Sequence, residues 1–191
     1  MSGKTVCLLY VSPNNVIRLT KKINTSTKVF SICCMTPSNM VVSTYGEYGH
    51  PLRMITQAGV ESDLNHCKFP KKWYGYEESR CTYVPSKNTL VLTDKIAHTV
   101  YMYDIVKGTT IAVTNENIEY PRGACRGPGD TVLVCIGAMN SILHLTADGD
   151  ILDTYQVDMT LPFSLCMAQD GSKLAVSSGN GHKKLMVYKL S

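Results

Sequence analysis

The stretch Thr131–Thr146, TVLVCIGAMNSILHLT, aligns without a gap to Thr5–Thr20, TVCLLYVSPNNVIRLT, at an offset of 126 residues. That offset is three times 42. The same strand-like core recurs at this interval in Asn88-Thr89-Leu90-Val91-Leu92 and in Ser172-Lys173-Leu174-Ala175-Val176. A further copy, Ser38-Asn39-Met40-Val41-Val42, starts 34 residues after the first and 50 before the next. One deletion is thus compensated by one insertion. The anchors of the five copies are Val6, Met40, Leu90, Val132 and Leu174.

Within each unit, short runs rich in Val, Ile, Leu, Tyr and Thr alternate with Gly, Asn, Asp, Ser and Pro, which is the texture of strands and turns. The unit beginning at Gly123 shows the plan. Gly123–Cys125 reads as strand a, Pro128-Gly129-Asp130 as a turn, Thr131–Ile136 as strand b and Ser141–Leu145 as strand c. Asp148-Gly149-Asp150 is a tight turn before strand d, Ile151–Val157. Four strands in about 42 residues are a propeller blade, because one small sheet cannot bury both of its faces and must stack on its neighbours. The expected fold is therefore all-β, a β-propeller of four-stranded antiparallel blades. About 4.5 blades and about eighteen strands fit into the chain, an incomplete or open ring of a six-bladed type. The whole chain, 1–191, reads as one domain: a partial blade over 1–29, blades over 30–79, 80–120 and 121–160, and a last partial blade over 161–191. Unpaired edges at the two ends invite self-association.

Composition agrees. Of 191 residues, 44% are hydrophobic and 18% charged, enough apolar surface for a packed core. No apolar run approaches the roughly 18 residues of a spanning helix, and no signal-peptide pattern opens the chain, so a cytoplasmic location without membrane contact is the expectation. Residues 1–100 hold 12 basic and 6 acidic groups, whereas residues 101–191 hold 7 and 9. The basic half could steer an anionic partner. None of the eight cysteines stands in a C-x-x-C pair, so they read as structural free thiols with no metal site and no cofactor, and Cys33, Cys34, Cys81, Cys125 and Cys166, in equivalent apolar stretches of the repeat, as small buried hydrophobes.

The repeat units resemble those of NHL-type propellers. Pro121-Arg122-Gly123, Gly129-Asp130-Thr131-Val132-Leu133-Val134, Asn140-Ser141-Ile142-Leu143-His144-Leu145 and Asp148-Gly149 carry the likeness. So does the closing unit, from Leu161-Pro162-Phe163-Ser164-Leu165 to Val187-Tyr188-Lys189-Leu190, which is similar to the last blade of the propellers that end tripartite-motif (TRIM) ubiquitin ligases. The strand-b Asp of that pattern is kept at Asp94 but replaced at Tyr10, Ile136 and Ser178. The b–c loop Asn appears as Asn14 and Asn140, and as His98 and His182 elsewhere. The resemblance implies a substrate- or RNA-receiving module that is not itself an enzyme. Ligase activity would require a RING domain outside these residues.

In such a fold the b–c and d–a loops share one face, where ligands meet variable chemistry on a rigid frame. One d–a connection is long, His66-Cys67-Lys68-Phe69-Pro70-Lys71-Lys72-Trp73-Tyr74-Gly75-Tyr76, and holds the single Trp. The candidate site is Lys71, Lys72, Trp73, Tyr74 and Tyr76 from this loop, with Arg80, Lys95, His98, Tyr120, Arg122, His182 and Lys183. Three readings stay open. The first is a protein-binding face. The second is a single-stranded RNA site, since ammonium groups neutralise phosphates while rings stack on bases. The third is a loop merely pinned to the propeller by its aromatic residues. A metal-dependent hydrolase is a further alternative, poorly served by a strand a offering Ile32, Cys33, Cys34, Tyr83, Ala124, Cys125, Leu165 and Cys166.

Overall fold

The computed structural model describes residues 3–64, 67–72, 79–179 and 184–190. Its strands, in chain order, are β1 (Gly3–Val11), β2 (Ile17–Cys34), β3 (Asn39–Tyr45), β4 (Leu52–Thr56), β5 (Glu61–Asp63), β6 (Ser79–Val84), β7 (Thr89–Asp94), β8 (Thr99–Asp104), β9 (Thr109–Val113), β10 (Pro121–Arg126), β11 (Val132–Ile136), β12 (Ser141–Leu145), β13 (Ile151–Gln156), β14 (Pro162–Met167), β15 (Lys173–Ser178) and β16 (Leu185–Lys189). They form four antiparallel sheets, β1-β2-β3-β4-β5, β6-β7-β8-β9, β10-β11-β12-β13 and β14-β15-β16. These are the blades of a β-propeller. No helix is long and apolar enough to cross a membrane among the described residues.

Continuous apolar runs occur where a strand is covered on both faces. All five residues of β11 are buried. Val132, Val134 and Ile136 face the second sheet and join Val91, Val100 and Met102, while Leu133 and Cys135 face the fourth and join Leu165, Leu174 and Val176. Strand β7 divides likewise, Val91 toward the third sheet and Leu90 and Leu92 toward the first, beside Val41 and Leu52. Each such side chain stabilises the stack by about 1.5–3 kcal/mol relative to exposure. Neighbouring sheets pack in sequence, first to second through β2, β3 and β6, then β6 and β7 on β10, then β10 and β11 on β14.

The N-terminal segment differs from the expected partial blade. Strands c, d and a anticipated between Ile17 and Cys34 are one 18-residue strand, β2. The deletion explains this: Val6 and Met40 stand eight residues closer than the 42-residue repeat, about the length of a c–d turn and a short strand, so strand c runs on into strand a. Among the described residues sixteen strands result rather than about eighteen. The hairpin also leaves the blade register. Leu9 pairs with Leu19, whereas its aligned counterpart Cys135 pairs with Ile142. Freed from blade geometry, the hairpin packs on the first sheet, with Val6 and Ile23 against Met40, Val42 and Ile55. Lys21 Nζ donates to the Gln57 carbonyl at 2.8 Å, and Ser26 donates from its backbone N–H and its Oγ to the Glu61 carboxylate at 2.7 Å each. Beyond this packed base, Leu9, Val11, Ile17 and Leu19 remain exposed.

The cysteines are all free, but two expected in the core are not there. Cys81 and Cys135 are buried, and Cys33, Cys67 and Cys125 are half-buried, whereas Cys34 and Cys166 are exposed. Cys166 lies beside Ala175, Ser177 and Leu185, on the face of the fourth sheet turned away from the third. Burial pushes the Cys67 thiol up to about 11 and the Cys125 thiol up to about 12.

His144 on β12 sits where strand and turn chemistry meet. Its Nε2 lies 2.8 Å from Thr131 Oγ1, and burial lowers its pKa below the ordinary histidine value, although Asp153 opposes this. A folded state that prefers the neutral ring binds fewer protons than the unfolded chain near the ordinary pKa. The resulting contribution to stability is therefore complete above that value and lost as pH falls below it. His144→Gln is expected to flatten the decline in unfolding midpoint between pH 7 and pH 5. An unchanged slope would assign the acid sensitivity to other groups.

Candidate interaction face

Hydrogen bonds between loops establish that the b–c and d–a connections lie together. The Gly49 N–H donates to the Lys72 carbonyl at 2.9 Å, the Gly137 N–H to the Tyr120 carbonyl at 3.0 Å, and the Gly179 N–H to the Leu161 carbonyl at 3.0 Å. A side chain from the b–c loops of the second and third sheets also reaches the next blade. Asn140 Oδ1 accepts from the Leu161 N–H at 2.9 Å, and His98 Nδ1 accepts from the Tyr120 N–H at 3.2 Å. All four residues hold positive φ, between 50° and 52°, a left-handed conformation that non-glycine residues adopt only where the surroundings demand it. The His98-for-Asn exchange is thereby explained. An imidazole with an unprotonated Nδ1 presents an acceptor where the amide carbonyl would stand.

Asp94, the retained strand-b acid, is fully buried. Its Oδ1 accepts from the Ile96 N–H at 3.1 Å and the Ala97 N–H at 2.9 Å, holding the b–c turn. Its Oδ2 meets Lys72 Nζ at 2.6 Å. Lys72, read in the sequence as a partner or phosphate contact, therefore anchors the long loop to the second sheet. Lys71 beside it is exposed.

Phe30 within β2 and the early residues of β6, β10 and β14 meet near this face. Arg80 places its guanidinium carbon 4.7 Å from the centre of the Phe30 ring and 4.2 Å from that of Phe163. Arg122 lies 5.3 Å from the same Phe163 ring, and Thr93 Oγ1 donates to the Arg122 carbonyl at 2.6 Å. Phe30, Arg80, Arg122 and Phe163 thus form a stack contributed by all four sheets, each contact worth about 0.5–2 kcal/mol. Next to it, the Tyr120 ring lies 4.9 Å from His98 and 5.9 Å from Lys95 Nζ.

The fold gathers Arg80, Lys95, His98, Tyr120 and Arg122 on one face, with Lys71 and Lys72 on the adjoining loop. Trp73, Tyr74, Tyr76, His182 and Lys183 lie outside the described residues. Sequence reasoning passed over Phe30 and Phe163, whose place beside Arg80 follows only from blade stacking. It also passed over Tyr48, Ile96 and Met139, exposed apolar side chains of successive b–c loops. Their position in loops was a signal that could have found them. At the opposite end of the a strands, a cleft of about 650 Å³ opens between Tyr83, Arg126, Pro128 and Gln169.

No protein-family model matches the chain, and no curated protein matches it. Solved structures do. Virginiamycin B lyase from Staphylococcus aureus is 15% identical with a TM-score of 0.65 over 96% of this chain and 63% of its own. A chain of a nidogen–laminin complex is 12% identical with a TM-score of 0.69, covering 93% and 68%. Hydrazine synthase of Kuenenia stuttgartiensis is 16% identical with a TM-score of 0.65, covering 84% and 46%. The chain spans about half to two thirds of the length of these structures. At such identities the likeness is one of fold.

Proposed function

We propose that the chain is a non-catalytic interaction module that takes a protein partner on its b–c and d–a loop face, as the resemblance to the substrate-receiving propellers of TRIM-type ligases implies. The observation that carries this reading is a set of exposed apolar and aromatic side chains, Tyr48, Ile96, Tyr120 and Met139, on the face where the arginine–phenylalanine stack emerges. Aromatic and apolar anchors beside arginine are the residues that protein interfaces bury at their centres. An RNA site leans instead on free cations, and Lys72 is already bonded to Asp94. The lyases among the structural neighbours share the fold at 15% identity, so no activity carries over from them.

The test places a photo-crosslinking amino acid at Met139 on the loop face or at Gln169 on the opposite face. A protein captured from Met139, absent from Gln169 and lost on Ile96→Asp in a chain of unchanged melting temperature, is the expected result. Equal capture from both positions would overturn the reading. Capture of nuclease-sensitive material that falls steeply with salt would assign the face to RNA.

A further inference from the structure

The first and second sheets meet through two cysteines. Cys33 on β2 is the cross-strand partner of Val41, and Cys81 on β6 places its Sγ 3.7 Å from the Val41 carbonyl oxygen and 3.4 Å from Ser31 Oγ. The Cys81 N–H also donates to Ser31 Oγ at 3.1 Å, which holds the backbone of β6 against the strand that carries Cys33. The two thiols are hydrogen-bonded to each other and pack in one apolar cluster with Val41, Leu52 and Leu90. Their bond draws the Cys81 thiol below its ordinary value, although burial opposes this, and together with burial it pushes the Cys33 thiol up.

Packing alone does not call for two thiols at this place. In the repeat, Cys33 opposite Val41 corresponds to Cys125 opposite Leu133, and Cys81 opposite Leu92 corresponds to Leu165 opposite Val176. Between the third and fourth sheets the equivalent neighbours are therefore Cys125 and Leu165, which share a cluster. A leucine covers the thiol there, and between the first and second sheets a second thiol stands in its position. Both sulfurs are shielded, since Cys81 is 7% exposed and Cys33 half-buried, so a reagent that reaches them has to be small.

We infer that Cys33 and Cys81 form a reversible disulfide between β2 and β6, with hydrogen peroxide as the oxidant. The Cys81 thiolate attacks one peroxide oxygen, the O–O bond breaks, and the released hydroxide takes up the proton that Cys81 gave off and leaves as water. The Cys33 sulfur then displaces hydroxide from the Cys81 sulfenic acid to form the S–S bond, and the Cys33 proton departs with that hydroxide as a second water. The two sulfurs lose two electrons, and one peroxide is reduced to two waters. The bond staples the first sheet to the second at the cluster on which the long loop packs through Cys67 and Phe69. The site is separate from the loop face.

The probe is hydrogen peroxide, added to the purified chain carrying Cys7→Ser, Cys34→Ser and Cys166→Ser so that no exposed thiol competes. After alkylation and trypsin, mass spectrometry is expected to find the peptides containing Cys33 and Cys81 joined, and separated again by dithiothreitol. Closing the loop between the two residues restricts the unfolded chain, so the melting temperature is expected to rise by about 10 °C on oxidation and to return on reduction. Cys33→Ser in the same background is expected to abolish both the joined peptides and the rise. Joining of Cys81 to Cys67, oxyacids at Cys33 or Cys81 in place of the bond, both thiols still open to alkylation, or an equal rise in Cys33→Ser would overturn the inference. If the triple variant does not fold, the peptides of the unsubstituted chain decide alone, with fragment masses separating Cys33 from its neighbour Cys34.

Discussion

Replacing Asp94 with alanine is expected to destabilise the chain by about 3 kcal/mol, because a carboxylate removed from a fully buried site withdraws a charge partner and two turn acceptors together. Asp94 has no exposed surface, accepts from the Ile96 and Ala97 N–H groups and meets Lys72 Nζ at 2.6 Å. Lys72→Met alone should cost less, since the carboxylate keeps its two backbone donors. In urea unfolding, the double variant Asp94→Ala/Lys72→Met should be less destabilised than the sum of the single variants, because the two residues are in contact. Strict additivity of the two would show that the ion pair contributes nothing to holding the loop.

A second large effect is expected at Gly123 on β10. A Cβ built there would stand 2.8 Å from the Phe163 carbonyl oxygen and 2.9 Å from Ser164 Cα. Those are backbone atoms of β14, so no side chain can swing aside to make room. Gly123→Ala must therefore push the a strands of the third and fourth sheets apart, loosening the contacts between Leu133 and Cys135 and Leu165 and Val176. A loss of about 3 kcal/mol is expected, at the upper end for overpacking, read as a lowered midpoint in thermal or urea unfolding. Gly129, with a φ of 59° and nothing near its Cβ position, is the contrasting case. Substitution there strains only the local backbone, so Gly129→Asn is expected to cost much less. Equal losses at the two glycines would mean that the spacing between strands is not what Gly123 provides.

The two positions show how far the chain could be read before its structure. The 42-residue spacing of the strand anchors led to a propeller blade, and Pro121-Arg122-Gly123 entered only as part of the likeness to NHL-type units. That the glycine is required follows only from the approach of Phe163, 40 residues later, within 3 Å of it. The same division runs through the candidate site. Arg80, Lys95, His98, Tyr120 and Arg122 were placed on one face by counting strands within the repeat, and loop hydrogen bonds join those strands' ends there. Lys72 was given to a partner because a lysine in a basic, aromatic loop looks the same whether or not a buried carboxylate waits 22 residues on. Phe30 and Phe163 drew no notice, since an aromatic in a strand is ordinary until two arginines from other sheets lie over it.

What the amino-acid sequence determined by itself is the repeated strand, the direction each side chain takes from it and the assembly of such strands into blades. These are properties of period-two alternation and short turns, and they operate within about a dozen residues. Only the tertiary structure decided that an eight-residue deletion would fuse three expected strands into β2 and fold the N-terminal hairpin onto Met40, Val42 and Ile55. It also decided which partners Asp94, His98 and Arg80 would find. Those outcomes depend on surfaces from distant parts of the chain meeting, and side-chain packing and hydrogen-bond satisfaction select among such meetings after the strands exist.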